Sequence, residues 1–216
     1  MFMRTGSWLS WFLRALSAAL LLGTSGVSSM RPAAAQAPGV LRMARNAEPG
    51  IFIPWLIDDN TALFTMGNVY DGLLRVTKDG ASVEPALATS WDTSTDGLTW
   101  TFHLRDGVKF SDGTPLTSND VKVSLDLARG GQRTVWKDNY KAIKEIQTPD
   151  PMTVNIILSQ PHAPLLSELA MFPAWIMQAD MATATEQAGW DDANNWASKG
   201  TGRYFTRRES RQGQQG

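Results

Sequence analysis

Only two imidazoles are available for acid–base or metal chemistry in this sequence, His103 and His162. His103 falls on the polar side of an alternating run, TWTFHL, and His162 sits between two prolines in QPHAP. A metal cage, or a triad of nucleophile, histidine and carboxylate, needs further groups at matching spacing, and neither neighbourhood offers them. Cysteine is absent altogether. That excludes disulfides, thiolate-bound zinc, iron–sulfur clusters, thiol catalysis and a lipid-modified N-terminal cysteine. Two adjacent carboxylate pairs remain, Asp58-Asp59 and Asp191-Asp192. Glycoside hydrolysis uses two carboxyl groups that flank one bond, whereas neighbouring residues of a chain point in different directions. A secreted hydrolase is a distant alternative on this basis. No catalytic residue, metal ligand or cofactor is assigned.

The elements that must position any such side chains alternate between strand and helix. GVLRMAR (39–45) reads as a short strand, and Pro49, Gly50 and Pro54 keep the following stretch irregular. In TALFTMGNVYDGLL (61–74), Leu63, Met66, Val69, Tyr70 and Leu73 recur at helical spacing. They predict a helix with one buried face, capped by Asn60 or Thr61. Two short strands are expected between residues 73 and 88, around the turn Lys78-Asp79-Gly80.

Asp96-Gly97 then turns the chain into the clearest pattern of all. Leu98, Trp100, Phe102 and Leu104 share one face of a strand, and Thr99, Thr101, His103 and Arg105 share the other. Arg105-Asp106-Gly107 turns again. Thr117 and Asp120 have the spacing of a capping box, with aspartate in place of the usual Glu or Gln. Val121, Leu125 and Ala128 form the stripe of the helix that follows, and Gly130-Gly131 ends it. A strand, a turn at Thr148-Pro149-Asp150-Pro151 and a second strand come next, with Met152, Val154, Ile156 and Leu158 inward. Residues 163–172 read as a short apolar helix, AWIMQ (174–178) as a buried strand, and MATATEQAGWDD as a polar helix or loop. This order predicts an α/β layer structure, a mixed sheet with hairpins and flanking helices.

Charge is unevenly spread. The overall −1 hides +3 in residues 1–35 and +3 in residues 203–216, which leaves −7 for the middle. An acidic middle gives no footprint for nucleic acid. Residues 1–35 combine Arg4 and Arg14, the short apolar run ALSAALLLG, and Ala33-Ala34-Ala35 as an A-x-A cleavage site, with Ala35-Gln36-Ala37 as the less favoured alternative because a proline follows it. They read as a cleavable export signal rather than an anchor, because Arg14 breaks the apolar stretch well short of the ~20 residues a span needs.

At this point the residues carry a resemblance. The run LLRVTKDGASVEPALATSWDTSTDGLTWTFHLRDGVKFSDGTPLTSNDVKVSLDLA resembles the signature region of the family 5 extracellular solute-binding proteins. These are the dipeptide-, oligopeptide- and nickel-binding components of bacterial ABC importers. Trp91, Asp96-Gly97, Phe102, Leu104, Arg105, Gly107-Val108, Phe110, Asp112-Gly113, Leu116 and Asp120-Val121 stand at the family's positions. VNIILSQPHAPLLSELA matches further on, as does Gly200-Thr201-Gly202, where the family has GTGPY.

The resemblance implies a periplasmic-binding-protein-like (type II) first lobe, incomplete, over residues 36–204. It implies a monomer in the periplasm that holds a peptide, or a related small solute, between two hinged lobes and delivers it to ABC permease subunits. The loop IDDNTAL occupies the place where that first lobe meets the cleft, so Asp58, Asp59, Asn60 and Thr61 are candidate ligand contacts. The competing reading is that they only start the following helix. Trp136 and Trp55 are further candidates for the cleft wall, against a packed role for each. Residues 205–216, FTRRESRQGQQG, depart from the pattern and read as an atypical polar tail, by frameshift or truncation. A truncated, non-binding remnant of such a protein is the alternative function.

Overall fold

The computed structural model describes residues 52–188 and 200–202. The export signal, the strand at 39–45, Asp191-Asp192 and the tail at 205–216 lie outside the described residues. Six strands and four α-helices are present among the described residues. A 3-10 turn at Pro54–Leu56 leads to α1 (Asn60–Met66), then to the small hairpin of β1 (Leu74–Val76) and β2 (Val83–Pro85). Next come β3 (Ala88–Thr93), β4 (Thr99–Leu104) and α2 (Ser118–Gly130). After a 3-10 turn at Lys137–Tyr140, β5 (Ile143–Asp150) and β6 (Thr153–Leu158) form a second hairpin. The described chain continues through α3 (Leu165–Leu169), a 3-10 turn at Phe172–Ala174 and α4 (Ala179–Ala188).

The main sheet has the order β3-β4-β6-β5, and every pairing in it is antiparallel. β4 therefore sits beside β6, 50 or so residues later in sequence, with Phe102 opposite Val154 and Trp100 opposite Ile156. Both the alternation of β4 and that of β6 come out as expected. Phe102, Leu104, Val154, Ile156 and Leu158 are buried, while Thr101, His103 and Asn155 occupy the other face. Gly97 and Gly107, at either end of β4, have φ of 70° and 72°. Those are left-handed conformations that glycine adopts without a Cβ penalty.

α2 covers the buried face. Val121, Leu125 and Ala128 lie at 0–1% exposure, so the predicted stripe is the packed one. Each such Val or Leu contributes about 1.5–3 kcal/mol of burial. The helix begins as its spacing implied. Asp120 Oδ2 accepts from the Thr117 N–H and from the Thr117 hydroxyl, both at 2.8 Å. Here aspartate does the work of the usual glutamate, and its other oxygen, Oδ1, accepts from the Ala179 N–H at 2.8 Å. One buried carboxylate thereby ties the start of α2 to the start of α4.

Three expectations are corrected. The helix predicted over 61–74 stops at Met66. Val69, Tyr70 and Leu73 are buried as foreseen, but from a turn and the irregular chain after it, whose carbonyls bond to other segments. Gly72 and Leu73 carbonyls accept from the N–H groups of Leu87, Ala86 and Ala88, and the Asp71 carbonyl accepts from Ile176. Residues 174–178 are buried, apart from the half-buried Trp175, but form no ladder. Their backbone partners are single groups, the Asp71 carbonyl and the Ser124 hydroxyl, rather than a neighbouring strand. Finally, β5 runs on to Asp150, so the turn foreseen at 148–151 tightens to Pro151-Met152.

Candidate functional site

Loop 57–61 is anchored from both sides. Ile57, 1% exposed, is packed into the core. Its carbonyl accepts from the indole N–H of Trp136 at 3.2 Å, a contact across 79 residues of sequence. Trp136 in turn meets Phe172 edge-on, with centroids 4.9 Å apart and planes at 88°, and Phe172 meets Trp175 at 6.3 Å and 69°. Such edge-to-face pairs add about 0.5–1.5 kcal/mol beyond area burial. Trp175 closes the row beneath the end of α1, where a Cβ on Gly67 would come within 3.3 Å of its ring. These aromatics are half-buried, so the row both supports the loop and shows an edge to solvent. Trp55, at 0% exposure, is a core residue and lines no surface.

The four candidate contacts divide by role. Asp59 is the N-cap of α1, its Oδ1 accepting from the Ala62 N–H at 2.7 Å. That corrects the expectation that Asn60 or Thr61 caps the helix. In the run Asp-Asp-Asn-Thr every residue has a capping side chain, and the structure selects the one whose backbone is extended, with φ −125° and ψ 148°. The Thr61 carbonyl accepts from the Thr65 hydroxyl at 2.8 Å, one turn on. Asp58 and Asn60 are exposed on the outer side of the loop. Exposed cations of the Trp136 segment, Arg133 and Lys137, flank the tryptophan in sequence. The Trp136 segment therefore meets loop 57–61 where Trp136 bonds to Ile57.

Both histidines have carboxylate partners that the sequence did not single out. His103 Nε2 lies 3.2 Å from Asp92 Oδ2 on the exposed face of the sheet. His162 Nε2 lies 2.8 Å from Glu168 Oε2, and the Tyr140 hydroxyl donates to the Glu168 carbonyl at 3.2 Å. Burial, with the Glu168 charge second, raises the Tyr140 phenol above its ordinary value. Both histidine contacts are short-range in the fold and join a turn or neighbouring strands. No group of three or more His, Asp or Glu side chains suited to a metal ion occurs among the described residues.

The Gly200-Thr201-Gly202 segment lies against residues 69–71. Gly202 N–H donates to the Val69 carbonyl at 3.0 Å, the Gly200 carbonyl accepts from Ser111 at 3.1 Å, and the Thr201 hydroxyl donates to Asp71 Oδ2 at 3.1 Å. A Cβ on Gly200 would overlap the Val69 carbonyl oxygen. Glycine is required there for close approach of two backbones.

Comparison with known proteins agrees with this architecture. Residues 82–213 match the model of the bacterial extracellular solute-binding proteins, family 5 Middle. The chain is 31% identical over 214 residues to the dipeptide-binding protein of Escherichia coli (strain K12), covering 87% of this chain and 38% of that protein. It is 36% identical over 141 residues to the nickel-binding periplasmic protein of the same organism, covering 63% of this chain and 26% of the relative. Among solved structures, the periplasmic binding protein DppA from Helicobacter pylori in complex with peptide STSA superposes with a TM-score of 0.62. Sequence identity there is 32%, over 72% of this chain and 34% of that one. The chain spans well under half the length of the relatives it matches. The match over residues 82–213, more than half of the chain, makes it a member of family 5 of the bacterial extracellular solute-binding proteins.

Proposed function

We propose that this chain is the first-lobe part of a periplasmic solute-binding component of an ABC importer, with a peptide-type solute. The observation that carries the reading is the family match over residues 82–213, together with relatives whose names specify dipeptide, nickel and peptide binding. Residues 1–35 act as the export signal, residues 36–204 as the lobe, and residues 205–216 as a tail apart from it. The protein works by holding and releasing solute, and no covalent step is part of its cycle. Its partner after loading is the permease.

The solute surface proposed on this lobe is loop 57–61 beside Trp136. Asp58 and Asn60 contact the solute, while Asp59 caps α1 and Thr61 stands in its first turn. An exposed carboxylate suits the ammonium end of a peptide, and the basic Arg133–Lys137 segment suits its carboxylate end. Ligand-induced closure of two lobes then follows from differential affinity for the closed state. Isothermal titration of the purified chain with dipeptides tests this. Saturable heat that falls in Asp58→Ala and Asn60→Ala variants supports it, and absence of heat with every dipeptide and with nickel contradicts it.

A further inference from the structure

Five Asp-Gly pairs occur among the described residues: Asp71-Gly72, Asp79-Gly80, Asp96-Gly97, Asp106-Gly107 and Asp112-Gly113. An aspartate before glycine is open to attack by the next peptide nitrogen on its own side chain, because glycine has no Cβ to shield that nitrogen. The fold treats the five differently. Asp79 Oδ1 is taken by the Thr77 hydroxyl at 2.6 Å and the Ala81 N–H at 3.1 Å. Asp96 Oδ1 is taken by the Ser94 hydroxyl at 2.5 Å and the Leu98 N–H at 3.0 Å. Asp112 Oδ1 accepts from the Thr114 N–H at 3.0 Å. These are Asx-type turns, which aim the carboxyl group two residues ahead and away from the next nitrogen. The hydroxyl bonds also pull Asp79 and Asp96 below the ordinary carboxylate value, which keeps them ionised and poorly electrophilic. Asp71 is held by Thr201, and Gly72 is buried beneath the Leu74 and Leu169 carbonyls.

Asp106 is the exception. Its Oδ1 lies 2.8 Å from the nitrogen of Gly107, the residue directly after it, and both residues are exposed. The Gly107 N–H donates to that oxygen, so the carboxyl group is folded back onto the one nitrogen that can close a five-membered ring instead of being held two residues ahead. Asp180 makes the same 2.8 Å contact with Met181 N, but there the following residue carries a side chain.

We propose that Asp106-Gly107 is a specific isoaspartate-forming site in the native protein. With the Asp106 carboxyl protonated, the Gly107 nitrogen adds to Cγ and gives up its proton to solvent. The Cγ–OH bond breaks, the oxygen leaves as water, and a succinimide remains. Water then opens the ring at either carbonyl. Addition at Cγ restores aspartate. Addition at the main-chain carbonyl breaks its bond to Gly107 nitrogen and leaves the chain running through Cγ as isoaspartate. One water is lost and one regained, with no oxidant or second reactant. The product lengthens by one carbon the turn that directly follows Arg105, whose guanidinium donates to the Ala86 carbonyl at 3.0 and 3.1 Å.

The test is peptide mapping of the full chain aged in mildly acidic buffer made with heavy-oxygen water, using electron-transfer fragmentation to mark isoaspartate. Isoaspartate and heavy oxygen should build up at residue 106 several-fold faster than at 71, 79, 96 or 112. The preference should vanish when the same chain ages in urea. Asp106→Glu, which cannot close the five-membered ring, should abolish the product at that position. Equal or faster conversion at another Asp-Gly pair, an unchanged preference in urea, or no isoaspartate at any site would overturn the proposal.

Discussion

Ser124 and Met177 hold each other by two hydrogen bonds, the serine hydroxyl donating to the Met177 carbonyl at 3.1 Å and accepting from the Met177 N–H at 3.0 Å. Both residues are buried, 53 positions apart in sequence. The hydroxyl stands in for the neighbouring strand that residues 174–178 lack. Ser124→Ala leaves a buried donor and acceptor without partners, so it should cost about 1–3 kcal/mol in urea unfolding. The exposed Thr183→Ala, which loses only a bond to the carbonyl one turn back, should stay within ~0.5 kcal/mol.

Two aspartates tie down helix starts in this chain, and their removal should differ in cost. Asp59→Ala removes one capping bond at a half-buried site and should cost about 1 kcal/mol. Asp120→Ala strands three donors, among them Ala179 N–H of a different helix, and should cost about 2–3 kcal/mol or more. Paired denaturation curves check the ranking. Equal losses would mean that the tie between α2 and α4 adds nothing.

Glycine substitutions should split in sign. Gly200→Ala drives a methyl group into the Val69 carbonyl, so the segment must lift and lose its bonds to Val69 and Ser111. Its expected effect is a loss of about 1–3 kcal/mol. Gly130→Ala, at the last turn of α2 with open space around it, should instead stabilise by about 0.5–1 kcal/mol. Thermal midpoints that move the same way for both would contradict the packing of residues 200–202.

Much of this fold can be read from the sequence because local signals coincide. In β4 a period of two is bounded by Asp96-Gly97 and Asp106-Gly107, and in α2 the stripe Val121, Leu125, Ala128 follows a capping pair. Where tertiary partners decide, the local pattern misleads. Val69, Tyr70 and Leu73 have helical spacing, yet Ala86–Ala88, Ile176 and Gly202 claim the backbone of residues 69–73. The candidate site is less legible still. Asp58-Asp59-Asn60-Thr61 offers four capping side chains in a row, and only backbone geometry chooses Asp59. Nothing local joins Trp136 to Ile57, or Tyr140 to Glu168.

The buried phenol of Tyr140 gives a pH signature. Its folded value is raised above the unfolded one by burial and then by Glu168. The stabilisation it brings is therefore complete below the unfolded tyrosine value of ~10 and is lost as pH rises above that. Unfolding free energy should fall across the alkaline range. Tyr140→Phe should flatten that fall, at the cost of the bond to the Glu168 carbonyl. An identical alkaline slope in the variant would contradict the assignment.

The solute surface proposed at loop 57–61 carries a thermodynamic signature. Thermal unfolding of the purified chain across a dipeptide concentration series tests it most directly. Binding to the native state raises the midpoint by mass action, so the midpoint should rise with dipeptide concentration, and rise less in Asp58→Ala and Asn60→Ala. A cooperative transition that no dipeptide moves, at any concentration, would contradict it.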